Sequence, residues 1–552
     1  MRPNKTSFFI AVVFLLFSKT LTAQDKYFVG FNNKTGSPYS ISNPETFLSS
    51  QSVLRRVKQN IAVTERDLPV NSSYLSQISA TEAKVLYSLK WFNGVVIEVE
   101  NASILNAIYS LPFVESIRKI FDASATKSSM GEEDAQPTYR KEFEGVNFYN
   151  YGNSLSQIKI MDGNILHNNG FRGKGINIAI LDAGFTMANT LPAFDSLWQS
   201  NRIVFTKDFV NSTSDFYTTH SHGMMVLSVL GGNIPGFLVG SAPEANYMLI
   251  RTEDANSEQL IEEYNWAAGA ELADSLGADI INSSLGYYLF DVPEQNYTYS
   301  QLNGTTTISA KAANIAFETG MLVVNSAGNE GDNEWKYIIT PADALGSLAT
   351  GAVDSEGNYA AFSSIGPSAD GRIKPDVMAM GKSTVVQRLT GEIGTSNGTS
   401  FSAPLISGMA ACLWQVFPNA TAAELRQLII ESGTIYSNPN NMLGYGIPKF
   451  SIYADSVIRP FFNSYSSLNI FPNPTDSTLK VWVPNEFSGK VTEVQILSTL
   501  GKLEYSFTIT CNGEYINFEL PKSLVNGSYI LSLRVNEIVK TGMFLKASKN
   551  GG

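Results

Sequence analysis

Asn397-Gly398-Thr399-Ser400-Phe401-Ser402-Ala403-Pro404 is the stretch that decides how the rest of this chain is read. At residue frequencies of about 5–7%, six fixed positions in such a string arise by chance about once in 10⁷–10⁸ starts. Gly398 lets the backbone turn tightly beneath a ligand. The run 402–416 is rich in Ala and Leu and reads as a helix that opens at Ser400. At a helix start the backbone N–H groups are free, so the Ser400 N–H can meet a developing negative charge. A serine hydroxyl is a weak nucleophile until a base stands beside it. The whole chain has three histidines, His167, His220 and His222. His222 is followed by Gly223 and by a run of small and apolar residues, 224–231. His220 lacks the following glycine and ranks below it. The base in turn needs a carboxylate to fix its tautomer and stabilise the imidazolium. Ile178-Ala179-Ile180-Leu181-Asp182-Ala183-Gly184 supplies one at the end of an apolar strand, the edge at which α/β sites form.

Two more segments fit this chemistry. Val323 to Gly331 is an apolar run that ends in Ser326-Ala327-Gly328-Asn329-Glu330-Gly331. A neutral Asn amide donates a hydrogen bond without titrating. Asn282-Ser283-Ser284-Leu285-Gly286-Tyr287 follows a second apolar run. These strings resemble the motifs of the subtilisin-like serine proteases. Met224 stands where that family's His-Gly-Thr-x-Val has Thr, and Ala183 stands in the middle of its Asp-Ser/Thr-Gly. The chain order Asp182, His222, Ser400 is the subtilisin order. The resemblance implies Ser400 as nucleophile, His222 as base, Asp182 as orienting carboxylate and Asn329 as donor to the tetrahedral oxyanion. It implies Ser284, Leu285 and Gly286 as the strand that pairs with an extended substrate backbone. Ser326-Ala327-Gly328 would then face that strand across a pocket, with the floor somewhere between Asp332 and Pro341, where Trp335 and Lys336 occur. The implied activity is serine endopeptidase hydrolysis of polypeptides through an acyl-enzyme. It calls for no cofactor and no catalytic metal, and no loop of clustered carboxylates marks a calcium site.

Outward from these motifs the chain divides. Residues 151–458 alternate helical patterns such as 257–276 with apolar runs at 176–181, 278–282 and 321–325. Strands apolar on both faces suit a parallel sheet covered by helices. Residues 24–150 begin with a small α+β unit: a hairpin about Phe92-Asn93-Gly94, a helix over 103–111 and a strand over 114–120. A polar linker follows over 124–136. Residues 464–552 carry short β-rich runs at 479–483, 491–497, 515–518 and 528–535, the spacing of a small β-sandwich. The linker before it covers 459–467. The expected fold is therefore α/β, a subtilisin-like parallel sheet with flanking helices, plus the α+β unit and the β-sandwich. Residues 27–120 resemble the inhibitor-type propeptide of these proteases. Arg251-Thr252-Glu253-Asp254 and Lys374-Pro375-Asp376-Val377 resemble exported members from Bacteroidetes-type bacteria. Phe471-Pro472-Asn473-Pro474, Gly501-Lys502 and Leu524-Val525-Asn526-Gly527-Ser528-Tyr529 resemble the C-terminal sorting domain of the type IX secretion system.

Residues 1–23 read as a secretory signal peptide, with Arg2 and Lys5 before the apolar run 8–17, which is too short to span a bilayer. No other segment is apolar enough to cross a membrane. A secreted or cell-surface zymogen follows, with its own propeptide as inhibitor and the secretion machinery as partner. The net charge of −11 repels polyanions and argues against a nucleic-acid partner. Cys412 and Cys511 fall in different units and are not expected to bridge.

Overall fold

The computed structural model describes residues 24–125 and 147–453, the backbone of Asp134–Ala135, and residues 468–547 with short gaps. The expected signal peptide, most of the 124–136 linker and the 459–467 linker lie outside the described residues.

The largest sheet has seven strands in the order Val377–Met380, Ser347–Val353, Leu322–Ser326, Ile280–Ser283, Asn177–Asp182, Asn246–Arg251 and Ile203–Asp208. Every pairing in it is parallel. The apolar runs explain this. Ile178, Ile180 and Val324 face one core; Ala179, Leu181 and Val323 face another. Such a sheet needs cover on both sides, and each fully buried Ile or Val side chain contributes about 1.5–3 kcal/mol. Helices His222–Gly231 and Thr399–Val416 cover the first face. Helices Ile261–Leu276 and Ile308–Glu318 cover the second. The expected helix 257–276 starts four residues late, because Glu262 Oε2 accepts the Gln259 N–H at 2.9 Å and holds that segment outside the helix.

The N-terminal unit is a four-stranded antiparallel sheet, Lys84–Leu89, Gly94–Glu98, Lys26–Phe31 and Val114–Phe121. The Asn-Gly hairpin is present, and Asn93 takes the left-handed backbone with φ 45°. This sheet lies on the second helical layer: Leu89, Trp91, Val96 and Ile120 share the core of Trp266, Ala270 and Ala313.

Residues 470–546 form two antiparallel sheets over their own core of Leu479, Val481, Val494, Ile496 and Leu531. The four runs read from sequence are strands. Beyond the two-residue Ile470–Phe471, two longer strands, Leu503–Thr510 and Ile538–Lys546, are also not expected. They are the two edges of the four-stranded sheet. An edge strand is half solvated, so its apolar alternation fades. Cys412 and Cys511 are separate buried thiols.

Candidate active site

Asp182 ends the strand Asn177–Asp182, at the C-terminal edge of the parallel sheet, and is fully buried. Its Oδ1 accepts the Ala183 N–H at 2.8 Å and meets His222 Nδ1 at 2.7 Å. Beneath it, buried Arg251 donates to the Ala183 carbonyl at 2.9 Å and to Asp208 at 3.1 Å, which fixes the loop that carries the carboxylate. His222 is the first residue of its helix. Gly223 is what lets that helix come so close. A Cβ there would stand 2.6 Å from the Gly184 carbonyl oxygen and 2.9 Å from the Asp182 Cβ. The other two histidines are elsewhere engaged. His220 Nδ1 accepts the His222 N–H at 3.3 Å. His167 is packed between the Tyr151 hydroxyl and the Ser241 carbonyl, and burial pushes its pKa down to about 4.

Ser400 sits one residue into the 18-residue helix Thr399–Val416, which starts earlier than the 402–416 run suggested. Gly398 caps it with φ 142°. Ser400 Oγ donates to the Ser284 carbonyl at 3.2 Å, and Ser284 Oγ donates back to the Ser400 carbonyl at 2.8 Å. Behind Ser284 stand Asn282, whose amide donates to Ser284 Oγ at 3.3 Å, and Ser407, which donates to Asn282 at 2.8 Å. Asn325 donates to the Leu285 carbonyl at 3.0 Å and pins the middle of the 284–286 segment. Phe401 brings the helix start to His222, with ring centroids 5.9 Å apart.

Asn329 is exposed at the mouth of the same cleft. Its Oδ1 accepts two bonds from Thr399, from N–H and from Oγ1, both at 2.9 Å. Thr399 Oγ1 also accepts the Gly328 N–H at 3.2 Å. Both acceptor positions of the side-chain carbonyl are thus filled, and the amide nitrogen lies 3.6 Å from where a Cβ on Gly398 would stand. Thr399 stood inside the motif without an assigned role. A hydroxyl beside an Asn seventy positions away in the chain leaves no sequence signal.

Residues 173–446 match the subtilase family profile. A thermostable alkaline protease of Halalkalibacterium halodurans is 30% identical over 284 residues, 51% of this chain and 68% of that one. The chain belongs to the subtilase family. Subtilisin NAT of Bacillus subtilis subsp. natto is 29% identical over 289 residues, 51% of this chain and 66% of that one. So the chain spans about two thirds of the length of the curated relatives it matches. Fervidolysin from Fervidobacterium pennivorans, a keratinolytic enzyme related to subtilisin, superposes with TM-score 0.52 at 19% identity, covering 93% of this chain and 71% of that one, which is a likeness of fold. Residues 26–136 match the Bacteroidota propeptide domain of peptidase S8, and 469–546 match a secretion system C-terminal sorting domain. This subtilase is a serine endopeptidase carrying both appendages, and the sorting domain marks it as a secreted or cell-surface protein. Among the described residues no helix is long and apolar enough to cross a membrane.

The propeptide domain grips the subtilase domain through the helix Ile261–Leu276. Glu271 accepts the backbone N–H groups of Lys90 and Trp91 at 2.7 and 2.9 Å. Asp274, fully buried, receives Arg55, Arg56 and Lys90. Burial opposes its ionisation, but Lys90, Arg55 and Arg56 outweigh that and hold the carboxyl well below the usual carboxylate range. Sequence reading missed a second group on this layer. Oxygens of Glu253, Glu258 and Glu262 lie within 4.8 Å of one another. Burial pushes Glu253 up to about 7, against the bond from the Tyr287 hydroxyl at 2.9 Å, and raises Glu258 and Glu262 as well. Besides burial, the charge of Asp182 also raises Glu253.

Proposed function

We propose that Ser400, His222 and Asp182 are the catalytic triad of this subtilase and that Asn329 is its oxyanion donor. The observation that carries this reading is the 2.7 Å bond from His222 Nδ1 to buried Asp182. With Nδ1–H held there, Nε2 is the basic nitrogen and takes the Ser400 proton as Oγ attacks the scissile carbonyl. The carbonyl oxygen becomes an oxyanion. The Asn329 amide and the Ser400 N–H at the helix start stabilise it, in a site arranged before the reaction. The imidazolium then gives its proton to the leaving amine, and a water repeats the sequence on the acyl-enzyme. Ser284, Leu285 and Gly286 grip the substrate backbone as an added strand. The chain is read as signal peptide 1–23, propeptide and linker 24–150, catalytic domain 151–458 and sorting domain 464–552. Asp134–Ala135 pairs antiparallel with Thr395–Ser396, just before the nucleophile segment. That passage supports the reading of the N-terminal unit as an intramolecular inhibitor whose linker is cut on activation.

The test is labelling and turnover together. A fluorophosphonate should modify Ser400 in the matured enzyme. Ser400→Ala should abolish casein hydrolysis, about 10⁶-fold by the magnitude carried over from subtilisin, while peptide binding survives. Turnover retained in that variant would assign another nucleophile.

A further inference from the structure

Arg251 pairs with Asp182 across the parallel sheet, and the N–H of Thr252 donates to the Asp182 carbonyl at 3.0 Å. Glu253 comes next, just past the sheet edge that carries Asp182, and is 2% exposed. Its Oε2 accepts the hydroxyl of Tyr287 at 2.9 Å, and Tyr287 is equally buried. Tyr287 directly follows the 284–286 segment. Its backbone exchanges two bonds with Thr340, at 2.8 and 3.3 Å. One buried hydrogen bond thus joins the edge beside Asp182 to the end of the segment that meets Ser400.

A hydrogen bond to a carboxylate is about twice as strong as one to a neutral carboxyl group. The hold on Tyr287 therefore depends on the proton of Glu253. The charged groups that face Glu253 are Asp182 from the neighbouring strand, Asp254 in the loop and Glu262 on the helix Ile261–Leu276. Glu258 brings an oxygen within 4.8 Å and itself faces Asp291 and Glu263. Of the cations beside this group, Arg251 lies on Asp208 at 3.1 Å and Asp254 at 3.8 Å, and Lys26 of the propeptide domain faces Asp254 and Glu262. Glu262 is fixed by the N–H groups of Asp254 and Gln259, at 3.2 and 2.9 Å. Burial first, then the charges of Asp182 and Asp254, hold Glu253 at about 7, against the bonds from Tyr287 and Glu262. Glu253 thus gains its charge as the pH rises through 7.

We propose that Glu253 is a positioning residue for the cleavage reaction: ionised, it grips Tyr287 and holds the 284–286 segment in place for substrate, and protonated, it lets that segment loosen. The proposal rests on the reading of 284–286 as the substrate strand beside Ser400. That strand binds the peptide and takes no part in bond breaking, so its loosening raises KM and leaves kcat alone. The charge on Glu253 is present above pH 7 and lost below it, so KM rises as the pH falls through 7. Protonation of His222, the proposed base, enters kcat and is common to every variant that keeps His222.

The experiment uses the matured enzyme, counted by fluorophosphonate-labelled serine, and a fluorescence-quenched decapeptide without titratable side chains. Steady-state kcat and KM are measured separately between about pH 8.5 and 5.5. Wild-type KM should rise about threefold or more from pH 8 to pH 6. In Glu253→Gln and in Tyr287→Phe, KM should stay at the raised value throughout, and the double variant should be no worse than either single one. The kcat profile should be the same in all four. Tyr287→Phe removes one oxygen only, and guards against a Glu253→Gln variant that fails to fold. A wild-type KM that stays flat overturns the proposal, as does a labelled Glu253→Gln enzyme whose KM still titrates. Added calcium that abolishes the wild-type titration would make the carboxyls a cation site and overturn it too. A wild type that neither takes the label nor cleaves any peptide overturns the triad reading beneath it, and the proposal with it.

Discussion

Thr399 does at the residue scale what no motif announces: it orients Asn329, the side chain proposed to meet the oxyanion. Asn329→Ala should lower kcat by roughly 10²–10³ and leave KM nearly unchanged, a magnitude carried over from subtilisin, because the amide bonds only a charge that develops in the transition state. Thr399→Val keeps the shape but removes the hydroxyl that donates to Asn329 Oδ1 and accepts from Gly328. The loss of one such bond is about 1–1.5 kcal/mol, so kcat should fall about tenfold, with KM steady and recovery in Thr399→Ser. A rise in KM alone would make Thr399 a fold residue and nothing more. The histidines give a second check by steady-state kinetics. His222→Ala should be as damaging as Ser400→Ala. His220→Ala should be mild, since its Nδ1 accepts the His222 backbone N–H and does not meet Asp182. The reverse ranking would reassign the base.

At the scale of elements, the helix Ile261–Leu276 faces two ways. Its outer side carries Asp274, on which Arg55, Arg56 and Lys90 of the propeptide domain converge. Removing one partner of a buried ionic cluster leaves the others uncompensated and costs about 3–5 kcal/mol. The isolated propeptide, added in trans, should therefore inhibit Asp274→Ala enzyme at least about 100-fold more weakly than wild type. Equal inhibition constants would show that the cluster serves the fold of the helix and not the docking. The same helix carries Glu262, beside Glu253 and Glu258. Glu253 is raised from 4.5 to about 7, so the native state binds its proton more tightly than the unfolded chain does. That contribution to stability is complete below pH 4.5 and is lost as the pH rises through 7. In the full chain inactivated by Ser400→Ala, Glu253→Gln should raise the thermal midpoint at pH 8 by about 2 °C or more and change little at pH 5. A lower midpoint at pH 8 would mean that contacts around the ionised Glu253 carboxylate outweigh its burial.

At the scale of the molecule, the C-terminal sheets close over their own core, drawn wholly from residues 468–544. Among the described residues, none of those named around Ser400 comes from them. A truncation ending near Asp455 should therefore hydrolyse casein as fast as the full catalytic unit. In the native secreting host it should accumulate in the periplasm, because the signal peptide proposed at residues 1–23 would carry the chain only across the inner membrane. Fractionation and a casein assay check the two halves separately. Normal secretion would remove the sorting role, and lost hydrolysis would give the domain a part in supporting the cleft.

What sequence alone determined is what repeats along the chain or is written contiguously. Apolar runs gave the parallel sheet, because a strand covered on both faces has no solvent side to mark. The strings about Asp182, His222, Asn329 and Ser400 were legible because each needs a fixed local backbone: a strand end, two helix starts and a turn. The edge strands Leu503–Thr510 and Ile538–Lys546 escaped, since half of an edge is wet. Tertiary structure decided everything that depends on approach. It brought His222 to Asp182 across forty positions, with Gly223 as the only residue small enough at the crossing. It turned Asn329 by way of Thr399, and it set Arg55, Arg56 and Lys90 on Asp274. It also put Ile339 between Gly286 and Gly328, two glycines that lie 42 residues apart in sequence. Such contacts have no motif, because the approach of distant backbones exists only once the chain has folded.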